Sequence, residues 1–444
     1  MKKERGMDSV KNYFYESLGS RYNVTYPEID NATYYNIVNF APDLDRPIQR
    51  WYRYKEGYSL ELNDKIFQEF SVGKGDIICD PFCGGGSTLL CSFLKDVKSV
   101  GFEVNPFAAL LAKTKTRFYS EQDIRELEKQ IKLISKVIPK EYQIKKPKLS
   151  FIDKVFAPEA LELLLAYRDY ILSIDNEKVK DLMFLGWLSI LEDVSNYRKA
   201  GNGLKRKTRG KQNSLLGDKE NARYLLYDKL KVMLKDLQHY SGKLKKECEP
   251  DIYNKSSLEM SKHLAPGSLK GVIFSPPYAN CFDYTEIYKI ELWMGGFVKD
   301  YSDLKELRKT SLRSHLSATA NGSSAGGIDL AELNELLGML SKKDLWDKRI
   351  PAMLNGYFED ISKVLSDTYN CLKPGGFCCI VVSNSAYGGI VIPTDLLISR
   401  IADNIGFENL RIDVARYIIT SSQQYKQTQF QKKYLRESIL YLRK

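Results

Sequence analysis

Four groups of residues have types and spacings that could do chemistry. The stretch Asp80-Pro81-Phe82-Cys83-Gly84-Gly85-Gly86-Ser87-Thr88 sets three glycines between a carboxylate and two hydroxyls. Successive glycines let a backbone turn tightly and approach a ligand closely. Glu103 follows near the ~20-residue offset at which an acidic group meets ribose hydroxyls in nucleotide-binding folds. Far downstream stands Ser275-Pro276-Pro277-Tyr278, where two consecutive prolines stiffen a turn and contribute no amide donors. Between them, Asn196 to Asn213 carries seven basic residues: Arg198, Lys199, Lys205, Arg206, Lys207, Arg209 and Lys211. A run like this is either a solvated loop or a phosphate-contacting segment.

These groups need elements to hold them. Ile77-Ile78-Cys79 reads as a buried strand and Leu89 to Leu94 as the start of a helix, so the glycine turn joins strand to helix. That is the opening unit of a doubly wound α/β fold, whose ligands bind beyond the carboxyl ends of the strands. The helix N-terminus aims amides at any carboxylate or phosphate there. Val100 to Phe102 reads as a second strand ending at Glu103, and Val272-Ile273-Phe274 as a strand running into Ser275.

The pair DPFCGGGST and SPPY resembles the S-adenosylmethionine-dependent amino-methyltransferases of DNA, most closely those that modify cytosine N4. The resemblance covers about residues 47–118 and 255–425. It implies an α/β Rossmann-like sheet with helices on both faces and a helical insertion for target recognition. It places Asp80, Phe82, Gly84 and Gly86 around the methionine part of S-adenosylmethionine, with Pro81, Cys83, Ser87 and Thr88 completing the turn. Glu103 would hold the ribose, flanked by Val104 and Asn105, and Lys55-Glu56-Gly57-Tyr58-Ser59 would help close the pocket. The family often has an acidic residue for the adenine amine. Here that place reads Asn254-Lys255-Ser256-Ser257, leaving Ser256 or Ser257 for that contact.

The same resemblance makes Ser275, Pro276, Pro277 and Tyr278 the catalytic turn. An exocyclic amine is a poor nucleophile because its lone pair is conjugated into the ring. Acceptors on its protons, here Ser275 Oγ and the Pro276 carbonyl, let the nitrogen pyramidalise. Tyr278 would stack on a base swung out of the duplex. Serine at the first position goes mostly with cytosine N4 in this family, and its hydroxyl could donate to cytosine N3 or accept from the amine. Adenine N6 is the alternative. Cytosine C5 chemistry needs a cysteine nucleophile, typically in Pro-Cys, and no proline here precedes a cysteine. An RNA or protein amine methyltransferase, or a non-catalytic DNA-binding protein on this fold, are the other readings. The implied partners are double-stranded DNA and a cognate restriction endonuclease.

Composition agrees. The 444 residues carry a net charge of +11, which suits a polyanionic partner, and 43% hydrophobic content fills sizeable cores. No apolar signal or membrane-length run is visible, and the eight cysteines show neither C-x-x-C nor zinc spacing, as expected of buried thiols in a reducing cytoplasm. No metal is expected. Residues 1–45 read as an N-terminal arm, 46–118 as the first half of the catalytic domain, and 119–254 as a helical insertion without strands. Residues 255–444 read as the second half, with a mobile insertion near 300–350 centred on the glycine-rich 311–327. Ser120 with Asp123 resembles a capping box, Asn105-Pro106 and Asp283 suit helix starts, and Thr394 could cap a later helix.

Overall fold

The strands among the described residues are β1 Val24–Thr25, β2 Ile77–Asp80, β3 Lys98–Phe102, β4 Tyr197–Ala200, β5 Gly203–Arg206, β6 Asp251–Tyr253, β7 Leu269–Phe274, β8 Leu372–Ser383, β9 Ser385–Tyr387, β10 Ile390–Ile392, β11 Glu408–Tyr417 and β12 Arg436–Arg443. The computed structural model describes residues 13–27, 38–55, 57–136, 145–201, 203–207, 218–318, 328–418 and 428–444. Eight strands form one sheet among these residues, in the order β1-β11-β12-β8-β7-β2-β3-β6. From β8 to β6 all neighbours are parallel. β12 runs antiparallel to both β8 and β11. β2 is the switch point: β3 and β6 build outward on one side, β7 and β8 on the other. Ligands of such sheets bind outside the carboxyl ends of the strands at this place. The fold is the α/β sheet with helices on both faces that the sequence predicts.

Side chains alternate between the two faces of a strand, so each parallel strand feeds two cores. Ile78, Ile273, Cys379 and Val381 point into one, with the Leu60–Glu69 helix and Phe107. Cys79, Val272, Phe274 and Cys378 point into the other, with the Ile350–Cys371 and Thr394–Ile405 helices. The inserted helices Glu121–Lys136, Pro158–Leu172, Glu177–Val194 and Asp218–Tyr240 join the first core, where Trp187 is fully buried and donates to the Leu164 carbonyl at 2.9 Å. The Ser120/Asp123 box is reciprocal: Asp123 N donates to Ser120 Oγ (3.2 Å), and Ser120 N to Asp123 Oδ2 (2.8 Å). Asn105 and Asp283 cap their helices.

Several expectations need correction. The insertion is not purely helical, because β4 and β5 pair as a hairpin within the basic run. Gly201 at φ 57° supplies the left-handed residue its tight turn needs. The insertion also ends before 254, since β6 pairs with β3 and returns the chain to the sheet. Residues 311–318 are not a free loop: Leu312 is buried, and Arg313 is held by Asp360 and Glu359. The remainder of that stretch, 319–327, lies outside the described residues. The Thr394–Ile405 helix begins without a side-chain cap. At the other end of the sequence, β1 adds a parallel strand to β11, and Tyr15 Oη donates to the Val391 carbonyl at 2.8 Å. No helix among the described residues is long and apolar enough to cross a membrane.

Candidate functional site

The glycine turn is held from beneath. Asp80 ends β2, but its carboxylate folds back to accept the Phe82 amide (3.0 Å) and the Tyr58 hydroxyl (2.9 Å), and Tyr58 also meets Thr88 Oγ1 at 2.6 Å. Burial pushes the Asp80 carboxyl up to about 6. Gly84 (φ 47°) and Gly86 (φ 79°) take left-handed backbone that other residues resist. Their close approaches are to the protein itself. A Cβ on Gly84 or Gly85 would stand 2.9 Å from the Tyr54 side chain, and one on Gly86 would stand 3.1 Å from Ala112. Below the turn, Lys115 is buried; its Nζ donates to the Gly85 carbonyl (2.7 Å) and to Gln49 Oε1, and burial lowers its pKa to about 7. Gln49 in turn meets Ser87 Oγ and Asp43.

Above the turn the geometry opens. Glu103, just beyond β3, is half-buried. Its two oxygens accept the amides of Gly84 (2.9 Å) and Asn105 (2.8 Å), binding the turn to the next loop. Burial pushes its carboxyl up to about 7 against those two hydrogen bonds. Asn254 Nδ2 fixes the same loop through the carbonyls of Glu103 (2.7 Å) and Val104 (3.1 Å). Pro81, Phe82, Gly84, Glu103, Val104, Asn105 and Ser257 all line one cavity. The Ser257 hydroxyl is buried there with no partner among the described residues.

Ser275 and Pro277 line that same cavity from the end of β7. Pro276 is buried. Ser275 Oγ donates to Tyr278 Oη at 3.2 Å, and Tyr278 Oη donates to Glu437 Oε1 at 2.5 Å. Asp283, Tyr284, Thr285, Leu312, Ser314 and His315 line the cavity as well. Arg308 steadies two of them, donating from Nε to Asp283 (2.9 Å) and Thr285 (3.0 Å). His315 is buried with Nδ1 4.0 Å from Asp283 Oδ2, and burial lowers its pKa. Because the Ser275 proton is directed to Tyr278, donation from Ser275 to cytosine N3 does not fit this geometry. That part of the physical case for cytosine falls.

Other expected site residues stand behind or beside the cavity. Ser59 caps the Leu60–Glu69 helix, and Cys83, Ser87 and Thr88 are buried. Gly57 packs near Phe40 and Tyr54. Lys55 Nζ donates to the Gly201 carbonyl at 2.6 Å, joining the hairpin tip to the segment that carries Tyr54. Glu56, Arg209 and Lys211 lie outside the described residues. Two basic residues are corrected. Lys199 is buried in ion pairs with Glu291 (2.5 Å) and Glu192 (3.0 Å). Lys207 donates to the carbonyls of Glu192, Asp193 and Ser195, closing the end of the Glu177–Val194 helix. Neither ammonium is left for phosphate, whereas Arg198, Lys205 and Arg206 are exposed. Sequence reasoning missed Tyr54, Lys115 and Glu437. Nothing in their local sequence separates a core position from a site position.

No protein-family model matches the chain. Curated relatives do. The type II methyltransferase M.BsoBI of Geobacillus stearothermophilus is 29% identical over 422 residues, covering 85% of this chain and 82% of its own. The type II methyltransferase M.AvaI of Nostoc sp. is 27% identical, covering 84% and 81%. The type II methyltransferase M.MvaI of Kocuria varians is 23% identical, covering 77% and 76%. The chain is thus similar to bacterial type II methyltransferases over most of its length.

Proposed function

We propose that the protein is an S-adenosylmethionine-dependent DNA methyltransferase that modifies the exocyclic N4 amine of cytosine in duplex DNA. One observation carries the reading: the glycine turn with Glu103 and the Ser275 turn wall a single cavity at the switch point of the sheet. The residues present fit the cofactor. Glu103 keeps lone pairs for two ribose hydroxyls, and the unpartnered Ser257 hydroxyl offers a donor or acceptor to the adenine edge. Phe82 and Gly84 flank the methionine end. When bound, the cofactor's sulfonium supplies an electrophilic methyl group.

The chain's own residues do the rest. Ser275 Oγ and the Pro276 carbonyl accept the amine protons and orient the nitrogen lone pair toward the cofactor side of the cavity. The two prolines hold those acceptors rigid, which matters where rate depends on alignment. The serine-led turn supports cytosine through the family resemblance alone, and adenine N6 is the second reading. Duplex DNA approaches over the basic hairpin. A companion endonuclease of the same specificity would make the mark protective. Nucleoside mass spectrometry of DNA from expressing cells tests this: N4-methylcytosine is expected, N6-methyladenine would change the base, and no mark in DNA would overturn the reading.

Glu103 makes cofactor binding depend on pH. Its folded pKa of about 7 exceeds the ordinary 4.5. Its proton therefore stabilises the empty fold below about 4.5, and that contribution is lost as pH rises through 7. Ribose hydroxyls donate to the ionised form, so cofactor affinity should rise with pH and level off above about 7. Glu103→Gln should weaken binding and flatten this dependence in calorimetric titrations. A wild-type affinity constant between pH 5.5 and 8 would remove Glu103 from the role.

Arg198 and Lys205 are cross-strand partners and Arg206 follows. Replacing these three with alanine should make the log–log salt dependence of DNA binding shallower, by about 0.9 for each phosphate the variant no longer touches, whatever the sequence. An unchanged slope would return the hairpin to a solvated role.

A further inference from the structure

Glu437 sits far from the Ser275 turn in sequence and next to it in space. β12 is antiparallel, so its first residues lie at the carboxyl end of the parallel strands. In register, Glu437 opposes Arg416 of β11, and Arg416 Nε meets Glu437 Oε2 at 2.5 Å. The Glu437 side chain is 3% exposed. Its other oxygen, Oε1, is 2.5 Å from Tyr278 Oη, which is 3.2 Å from Ser275 Oγ.

Donor counting fixes the direction of every proton in this chain. An ionised carboxylate can only accept, and a guanidinium can only donate. Arg416 therefore keeps Glu437 an acceptor, and Tyr278 must spend its one proton on Glu437. The Ser275–Tyr278 contact is then a hydrogen bond only if serine donates. Ser275 is left facing the cavity with lone pairs alone.

We propose that Glu437, clamped by Arg416, is the positioning residue that makes Ser275 an obligate acceptor for the target amine and ends the path by which the amine proton leaves. The proposal rests on the methyltransferase reading above. As nitrogen gains the methyl it carries one proton too many. The N–H electron pair returns to nitrogen and the proton passes to Ser275 Oγ. The serine's own proton moves to Tyr278 Oη, and the tyrosine's to Glu437 Oε1. Both hydroxyls end neutral, and the carboxylate ends as a carboxylic acid. The same polarity selects bases: an amine offers protons to Ser275, whereas a ring carbonyl would set oxygen against oxygen.

Glu437→Gln tests this sharply. Arg416 claims the amide oxygen of the glutamine, so its NH2 faces Tyr278. That reverses the chain and turns the Ser275 proton into the cavity. Single-turnover methylation should fall about a hundredfold, with cofactor affinity by calorimetry unchanged. Tyr278→Phe keeps the Glu437–Arg416 pair and the ring but breaks the relay, and should slow methylation similarly. In the Tyr278→Phe background, Glu437→Gln should cost nothing further, because its effect has no carrier. A full rate in Tyr278→Phe would overturn the proposal, even if Glu437→Gln failed to fold. So would equal losses from Glu437→Gln in both backgrounds, the mark of a merely structural ion pair. A wild-type protein that methylates no DNA would overturn the functional reading itself, whereas an active wild type with an undiminished Glu437→Gln variant would overturn the relay alone.

Discussion

Ser275→Ala is expected to lower single-turnover methylation about a hundredfold to a thousandfold while cofactor affinity stays within twofold of wild type. The first half follows from geometry. Ser275 lines the cavity at the end of β7, and its proton is already directed away to Tyr278. Alanine removes the side-chain acceptor assigned to the amine and leaves the Pro276 carbonyl. Loss of an aligned hydrogen-bond partner for a developing charge typically costs about 3–4 kcal/mol of barrier, and each ~1.4 kcal/mol is tenfold in rate. The second half follows because the cofactor side of the cavity is held by other bonds: Phe82 is fixed by Asp80, and Glu103 by the amides of Gly84 and Asn105. Rapid-quench kinetics with radiolabelled cofactor measure both quantities. An unaltered rate would remove Ser275 from the chemistry.

Asp395→Ala should be the most damaging single change to stability, costing about 3–5 kcal/mol. Asp395 and Arg436 are both fully buried, with Nε to Oδ2 at 2.7 Å. Asp395 also accepts from Ser438 Oγ (2.9 Å) and Asn384 Nδ2 (2.9 Å). Removing the carboxylate strands a guanidinium in the core without its counter-ion, beside the neutral hydroxyl of Tyr26 at 3.0 Å. Replacing both members, Asp395→Leu with Arg436→Met, should recover much of the loss, because two apolar groups no longer need one another. Urea midpoints of the three proteins check this. A cost below about 1 kcal/mol for Asp395→Ala would mean the pair is far better hydrated than its burial indicates.

The parallel half of the sheet was legible because buried parallel strands are short continuous apolar runs. Ile77 to Cys79, Val100 to Phe102 and Val272 to Phe274 all read that way, and each proved to be strand. Helix starts were legible where a side chain caps them, as at Asn105, Ser120 and Asp283. What failed depended on distant partners. Lys199 looks like its neighbours Arg198 and Lys205, and only its pairing with Glu192 and with Glu291, 92 residues on, makes it a buried charge. β4 and β5 were hidden because the alternation that marks a strand is masked by lysines and arginines on a solvated hairpin. Glycines 84 to 86 pointed correctly to close approach, yet the approaching groups are Tyr54 and Ala112. Glu437 had no local signal at all, since its meaning comes from the register of β12 against β11.

The placement of β12 also orders the birth of the molecule. β8 and β11 are both made earlier on the ribosome, and β12 must slide between them afterwards. The parallel strands that carry the glycine turn and Glu103 pair with one another, with β7 and with β6, so all their backbone partners leave the ribosome before β12 does. Arg436 and Glu437 arrive together on the later strand, bringing the buried counter-ion of Asp395 and the partner of Tyr278 in one step. Until then β8 and β11 each present a bare row of amides and carbonyls, the surface on which nascent chains pair with one another.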